Sequence, residues 1–184
     1  MKEIIFHGRG GQGAVVASEL LADAAMRSGK YSQSFPTFTA ERRGAPLMAF
    51  TRIDVKPIRV RSQIYEPDYV VVLDATISQS LDLTSGLKPD GVVVVNSSMA
   101  PKDLKESGIV ARGTVFSIDA SSIASKFVGT SIPNVVMLGA FSGATKEVEL
   151  ESLFDAVKNR FSKVLAEKNV QAMREAFDAV KRED

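Results

Sequence analysis

The 184-residue chain contains no cysteine, which removes disulfides, thiolate nucleophiles, cysteine-held zinc and iron–sulfur ligation in one step. Any electrons handled near this protein are carried by other chains. A surplus of one charge sign is also missing. With 23 Lys+Arg against 22 Asp+Glu the formal net charge is +1, so no global field draws the chain to nucleic acid or to a membrane surface. An anion site must therefore be local. The longest apolar runs, around Val70-Val71-Val72-Leu73 and Val92-Val93-Val94-Val95, fall far short of the ~20 residues of a membrane span, and the N-terminus has no signal-peptide layout. A cytoplasmic protein with neither membrane nor nucleic-acid partners is expected. Catalytic signatures are lacking as well: there is no G-x-S-x-G elbow, no P-loop and no His/Asp/Glu cluster at metal spacing. The one histidine, His7, has no partner acid in sight and reads as the filler of a polar corner.

What is present has the composition of an ordinary folded protein. Hydrophobic residues at 45% and charged residues at 24% indicate neither disorder nor a fibrous repeat, and the length suits one domain spanning residues 1–184. Residues 3 to 7 read as a strand and the Ala- and Leu-rich stretch from Gly13 to Met26 as a helix. A second strand is predicted at Tyr31 to Phe35, then a loop from Pro36 to Pro46. Leu47 to Ile53 and Ile58 to Arg61 are predicted to pair as an antiparallel hairpin, because the link Asp54-Val55-Lys56-Pro57 is too short for a parallel crossover. Tyr69 to Leu73 and Gly91 to Val95 are continuous apolar runs of the kind buried on both faces of a parallel sheet, with a short helix at Ile77 to Leu83 between them. Asp74 and Asn96 then fall at the carboxyl ends of those strands, the edge along which ligands of open α/β sheets collect. Further on, Thr114 to Ile118 reads as a strand, and Ser121 to Val128 and Asn134 to Ser142 as helices. One apolar face runs through Leu150, Leu153, Phe154, Val157, Phe161, Val164 and Leu165, and a last helix is expected from about Glu167. The predicted architecture is α/β: a three-layer Rossmann-like domain with a mostly parallel sheet, a small antiparallel hairpin insertion and a helical C-terminus.

Chemistry concentrates where the first strand runs into Gly8-Arg9-Gly10-Gly11-Gln12-Gly13 and a helix. A strand, a glycine turn and a helix N-terminus together offer bare backbone N–H groups to a narrow anion. Gly8, Gly10 and Gly13 satisfy G-x-G-x-x-G, so a stand-alone NAD(P)-binding oxidoreductase is one reading and a nucleotide-binding regulatory module another. The dinucleotide reading lacks its second anchor, since residues 30–40 hold no Asp or Glu to bind a ribose hydroxyl. A second constellation, Glu41-Arg42-Arg43-Gly44-Ala45-Pro46, combines two forked guanidinium donors with a glutamate and a glycine, and would leave the same side of the sheet if the second strand lay beside the first. Arg59 and Arg61 alternate with Ile58 and Val60, with Arg52 expected near them across the hairpin, and this patch reads as an interface.

Three separated motifs then carry a family likeness. Phe6-His7-Gly8-Arg9-Gly10-Gly11-Gln12-Gly13 is the first. Ser34-Phe35-Pro36 with Glu41-Arg42-Arg43-Gly44-Ala45-Pro46 and Ala49-Phe50-Thr51-Arg52-Ile53 is the second. Ile132-Pro133-Asn134 with Met137-Leu138-Gly139-Ala140-Phe141 is the third. In order and over nearly the whole chain they resemble the gamma subunits of 2-oxoacid:ferredoxin oxidoreductases, in the form of the pyruvate or ketoisovalerate branch. The resemblance implies a subunit of a pyruvate synthase-type complex that is not catalytic alone. Such a complex turns a 2-oxoacid, coenzyme A and oxidised ferredoxin into acyl-coenzyme A, carbon dioxide and reduced ferredoxin. It implies a hetero-oligomer with alpha, beta and delta subunits, with thiamine diphosphate, Mg and [4Fe-4S] clusters held in those partners and ferredoxin reached through the complex. The absence of cysteine and of a G-D-G…N thiamine signature, Asp90-Gly91 following Pro89, agrees with that division. Coenzyme A carries a pyrophosphate and a ribose phosphate, so the residues expected to help bind it are Gly8, Gly10, Gly11, Gln12, Gly13, Glu41, Arg42, Arg43, Gly44 and Asn134.

Overall fold

The structure, a computed structural model, describes residues 1–37 and 44–182. The strands are β1 (Lys2–Arg9), β2 (Tyr31–Pro36), β3 (Pro46–Asp54), β4 (Tyr69–Val72), β5 (Val92–Asn96), β6 (Thr114–Ile118) and β7 (Lys181–Arg182). The helices are α1 (Ala14–Arg27), α2 (Pro101–Glu106), α3 (Ala120–Phe127), α4 (Asn134–Thr145), α5 (Leu150–Arg160) and α6 (Lys163–Ala179), and one 3₁₀ turn covers Ala75–Gln79. The strands form one sheet in the order β2-β3-β1-β4-β5-β6-β7. β1, β4, β5 and β6 run parallel; β3 is antiparallel to both β1 and β2, and β7 to β6.

The valine runs of β4 and β5 sit at the middle of the sheet, buried from both sides, which is why they lack the alternation of a half-exposed strand. Odd and even positions serve two different layers. Ile4, Phe6, Val71, Leu73 and Val94 pack beneath α1 and α4, whereas Val70, Val72, Val93 and Val95 pack against Ile77, Leu83, Leu87, Leu104 and Val110 on the opposite face. Helix α4 is apolar all round, as a helix enclosed by other elements must be. Its Gly139 has no room for a Cβ, which would collide with the Met173 carbonyl of α6. That glycine lets the two helices approach backbone to backbone.

Several expectations are revised. Residues 58–61 are not a strand. The antiparallel element is built instead by β3 pairing with β2 on one side and β1 on the other. β3 is a central strand flanked by β1 and β2, with Phe50 and Ile53 both buried, and the short link after Asp54 does not bring the chain back as a further strand beside it. For the same reason β2 does not lie beside β1. The apolar face starting at Leu150 does not continue through Leu165 as one helix. Phe161 is extended (φ −114°, ψ 160°) and Ser162 is the residue before a new helix, a position serine favours; Val164 is accordingly 67% exposed. The short helix α2, which begins at Pro101, has too few residues to show a period.

Candidate functional site

The glycine turn lies where β1 hands the chain to α1, at the carboxyl edge of the parallel strands. Gly13 adopts the left-handed conformation (φ 78°, ψ 30°) as the residue preceding the helix, and it supplies no side-chain cap. A side chain there would be strained by that φ and would collide with Asn134 at the start of α4. The N-termini of α1 and α4 therefore meet at Gly13 and Asn134. Neither helix has an acidic residue in its first turn, the residues preceding them, Gly13 and Pro133, supply no side-chain cap, and Asn134 Oδ1 accepts from the Val135 amide (2.8 Å). The amides of Gly11, Gly13 and Ala14 meet no acceptor among the described residues. Two helix dipoles thus place their positive ends at one spot, with donors left open beside them.

Of the residues expected at this site, Gly8, Gly10, Gly11, Gln12, Gly13, Gly44 and Asn134 are brought together. The amide of Gly10 donates to the Ala45 carbonyl (2.9 Å) and that of Gly44 to the Gly10 carbonyl (3.1 Å), so the β1–β3 ladder extends into the turn and fixes the end of the preceding loop there. Gly8 approaches Leu73 and Ala14 closely, its absent Cβ lying 3.1 and 3.2 Å from their side chains. Glu41, Arg42 and Arg43 lie outside the described residues.

Two members of the turn are already engaged by an acid that the motif does not contain. Asp74, just past β4, receives Gln12 Nε2 on Oδ2 (2.8 Å) and faces Arg9 Nε with the same oxygen (3.2 Å). Its Oδ1 accepts from the amide (3.0 Å) and hydroxyl (2.6 Å) of Thr76. Arg9 completes the arrangement by donating to the Gly44 carbonyl (3.1 Å) and to Thr76 Oγ1 (3.0 Å), while Gln12 Oε1 accepts from the Arg9 amide (2.7 Å). Burial, the largest single influence, pushes the Asp74 carboxyl up, but the bonds from Thr76 and Gln12 and the Arg9 charge together outweigh it and hold it below the usual carboxylate value. Asp74 occupies the very place, the end of the parallel neighbour of β1, from which an acid could bind a ribose diol. With both oxygens occupied it is not free to do so. Sequence reasoning put Asp74 at the ligand edge but did not connect it to Arg9; the signal available was an acid immediately following the apolar run of β4.

Other polar residues serve the scaffold. Asn96 donates to the Leu73 carbonyl and Ser121 Oγ (both 2.9 Å) and so ties β4 to α3. Arg52 is not part of a surface patch: it is 1% exposed, bonds Glu3 through Nε (2.8 Å) and donates to the Gln63 carbonyl (3.2 Å). His7 is likewise buried, its Nδ1 without a partner among the described residues, and lines a cavity of about 90 Å³ with Thr37, Pro46, Leu47, Met48, Ile77 and Leu81. Among the described residues no group of three or more His, Cys, Asp or Glu side chains could hold a metal ion, and no helix is long and apolar enough to cross a membrane.

Comparison with known proteins places the chain in a family. The chain is 51% identical over 178 residues to the pyruvate/ketoisovalerate oxidoreductases common subunit gamma of Thermococcus kodakarensis, covering 97% of this chain and 96% of that one. Its fold matches the crystal structure of pyruvate oxidoreductase subunit PORC from Thermotoga maritima with a TM-score of 0.88 at 36% identity, over 100% of this chain and 98% of that chain. It also matches a 2-oxoglutarate:ferredoxin oxidoreductase from Magnetococcus marinus, a structure with 2-oxoglutarate, coenzyme A and succinyl-CoA bound. There the TM-score is 0.73 at 21% identity, over 100% of this chain and 32% of the other, a likeness of fold. The family model for pyruvate ferredoxin/flavodoxin oxidoreductases matches residues 3–179, and the chain belongs to that family.

Proposed function

We propose that this chain is the gamma subunit of a pyruvate (2-oxoacid):ferredoxin oxidoreductase and that its glycine turn helps bind coenzyme A. In this reading the oxidative decarboxylation, which yields acyl-coenzyme A, carbon dioxide and reduced ferredoxin, takes place on thiamine diphosphate, Mg and [4Fe-4S] clusters held by alpha, beta and delta partners in a cytoplasmic complex. The chain completes the assembly and lends it donors. The observation that carries the coenzyme A assignment is the meeting of two helix N-termini at Gly13 and Asn134, beside the amides of Gly11, Gly13 and Ala14, which meet no acceptor among the described residues. A pyrophosphate is the chemical complement of that arrangement: narrow, anionic, and able to accept from several amides at once. Arg42 and Arg43, which follow in sequence shortly before the anchored Gly44, add forked donors suited to a phosphate. The occupied carboxylate of Asp74 and the lack of an acid in residues 30–40 speak against a nicotinamide dinucleotide in the same turn.

The test is steady-state kinetics of the reconstituted complex. Asn134→Asp sets a negative charge at the joint helix N-termini, and Arg42→Ala with Arg43→Ala removes the guanidinium pair. Each is expected to raise the KM for coenzyme A by about tenfold or more, with the 2-oxoacid KM nearly unmoved. Unchanged coenzyme A KM in both variants removes the turn from the site.

A further inference from the structure

The stretch that sequence reasoning assigned to a second hairpin strand has an unusual status in the folded chain. From Pro57 to Arg61 it runs without a bend, yet it belongs to no strand. No backbone group of residues 58–61 bonds another backbone group among the described residues. It is nevertheless firmly seated. Just beyond it Ile64 is buried against Ile5 and Phe50 on the sheet. The buried Arg52 guanidinium lies 5.3 Å from the Phe35 ring centre and donates to the Gln63 carbonyl. A buried, ion-paired arginine is a costly anchor, and here it fixes one end of a segment that makes little use of its own hydrogen-bonding groups.

The outward side of this segment is apolar and cationic. Val55 is 74% exposed, Val60 41% and Tyr65 71%. Lys56, Arg59 and Arg61 are also exposed, and none makes an ion pair among the described residues, whereas Lys2, Arg9, Arg27, Lys30 and Lys88 each pair with a carboxylate. Glu66 is the only acid between residues 55 and 66. Exposed valine and tyrosine side chains beside unpaired arginines have the make-up of an interface, with unpaired backbone as a template for an added strand.

We propose that residues 55–65 are the docking edge for an extended, acidic segment of a companion chain of the oxidoreductase. That segment pairs its backbone with residues 58–61, sets carboxylates against Lys56, Arg59 and Arg61, and covers Val55, Val60 and Tyr65. Charge complementarity selects the occupant: a basic or neutral segment would leave three cations unpaired, and a second copy of this chain would bring like charges together. The inference rests on the reading of the chain as one subunit of a hetero-oligomer.

The chain is co-expressed with the companion chains of its complex, and association is measured by affinity capture with identification of each captured chain, and by titration at two salt concentrations. Arg59→Glu with Arg61→Glu is expected to weaken association by about tenfold or more and to reduce its salt dependence, with the melting temperature of the isolated chain unchanged because both side chains are exposed. Independently, hydrogen exchange at the amides of residues 58–61 is expected to be fast in the isolated chain and protected in the complex. Equal capture of companions by native and variant chains, or amides that exchange equally fast in the complex, overturns the docking edge while leaving the subunit assignment standing. Capture of no companion by the native chain overturns both.

Discussion

His7 makes the stability of this chain depend on pH in a window where little else titrates. The side chain is 4% exposed and its Nδ1 has no partner among the described residues. Burial, the dominant influence, lowers the pKa from 6.5 to about 4, against a backbone hydrogen bond with Leu83 and the charge of Asp82, both of which favour the protonated ring. Between these values the unfolded chain binds a proton that the folded chain excludes. The unfolded state is therefore favoured increasingly as pH falls, and stability rises with pH through the window at up to about 1.4 kcal/mol per unit. Summed over the span from about pH 7 to about pH 5, the loss on acidification is roughly 2 kcal/mol. His7 is the only histidine in the sequence, and carboxylates titrate mainly below the span, so the effect can be isolated. Urea unfolding followed by circular dichroism across this range is expected to show the midpoint falling with pH in the native chain and holding nearly constant in His7→Gln. A native midpoint that does not move, or a His7→Gln variant with the same slope, refutes the assignment of a neutral buried imidazole.

Two further perturbations test the clasp at the glycine turn and the helix packing behind it. The depressed Asp74 carboxyl contributes stability that is present above its unfolded value near 3.8 and is lost as pH falls through its lower folded value. Asp74→Asn is thus expected to be less stable than the native chain at neutral pH, with the gap closing below about pH 4 in the same unfolding assay; a gap independent of pH would mean that the carboxylate charge is not what the clasp uses. Gly139→Ala places a methyl group against the Met173 carbonyl, and overpacking of this kind costs about 1–3 kcal/mol. The melting temperature of the variant is expected to fall by several degrees, and an unchanged value would show that α4 and α6 separate freely.

The amino-acid sequence was sufficient for the pieces whose physics is local. The unbroken valine runs of β4 and β5 announce strands buried on both faces, Ala- and Leu-rich residues announce α1, and the glycines between β1 and α1 announce a turn that presents backbone amides. The order of motifs along the chain was enough to indicate the family. Pairing partners were not legible, because two short apolar segments joined by four residues satisfy a local hairpin as well as they satisfy β3 and an unpaired edge; only the competition for neighbours within the sheet put β3 between β1 and β2 and left residues 58–61 without a strand. The same holds for charge. Arg9, Arg52, Arg59 and Arg61 look alike in the sequence, yet folding clasps the first to Asp74, buries the second against Glu3 and exposes the other two. Local sequence sets which groups a chain owns, whereas long-range packing sets which of them remain unpaired, and among the described residues the unpaired ones include the amides at Gly13 and the cations of residues 55–65.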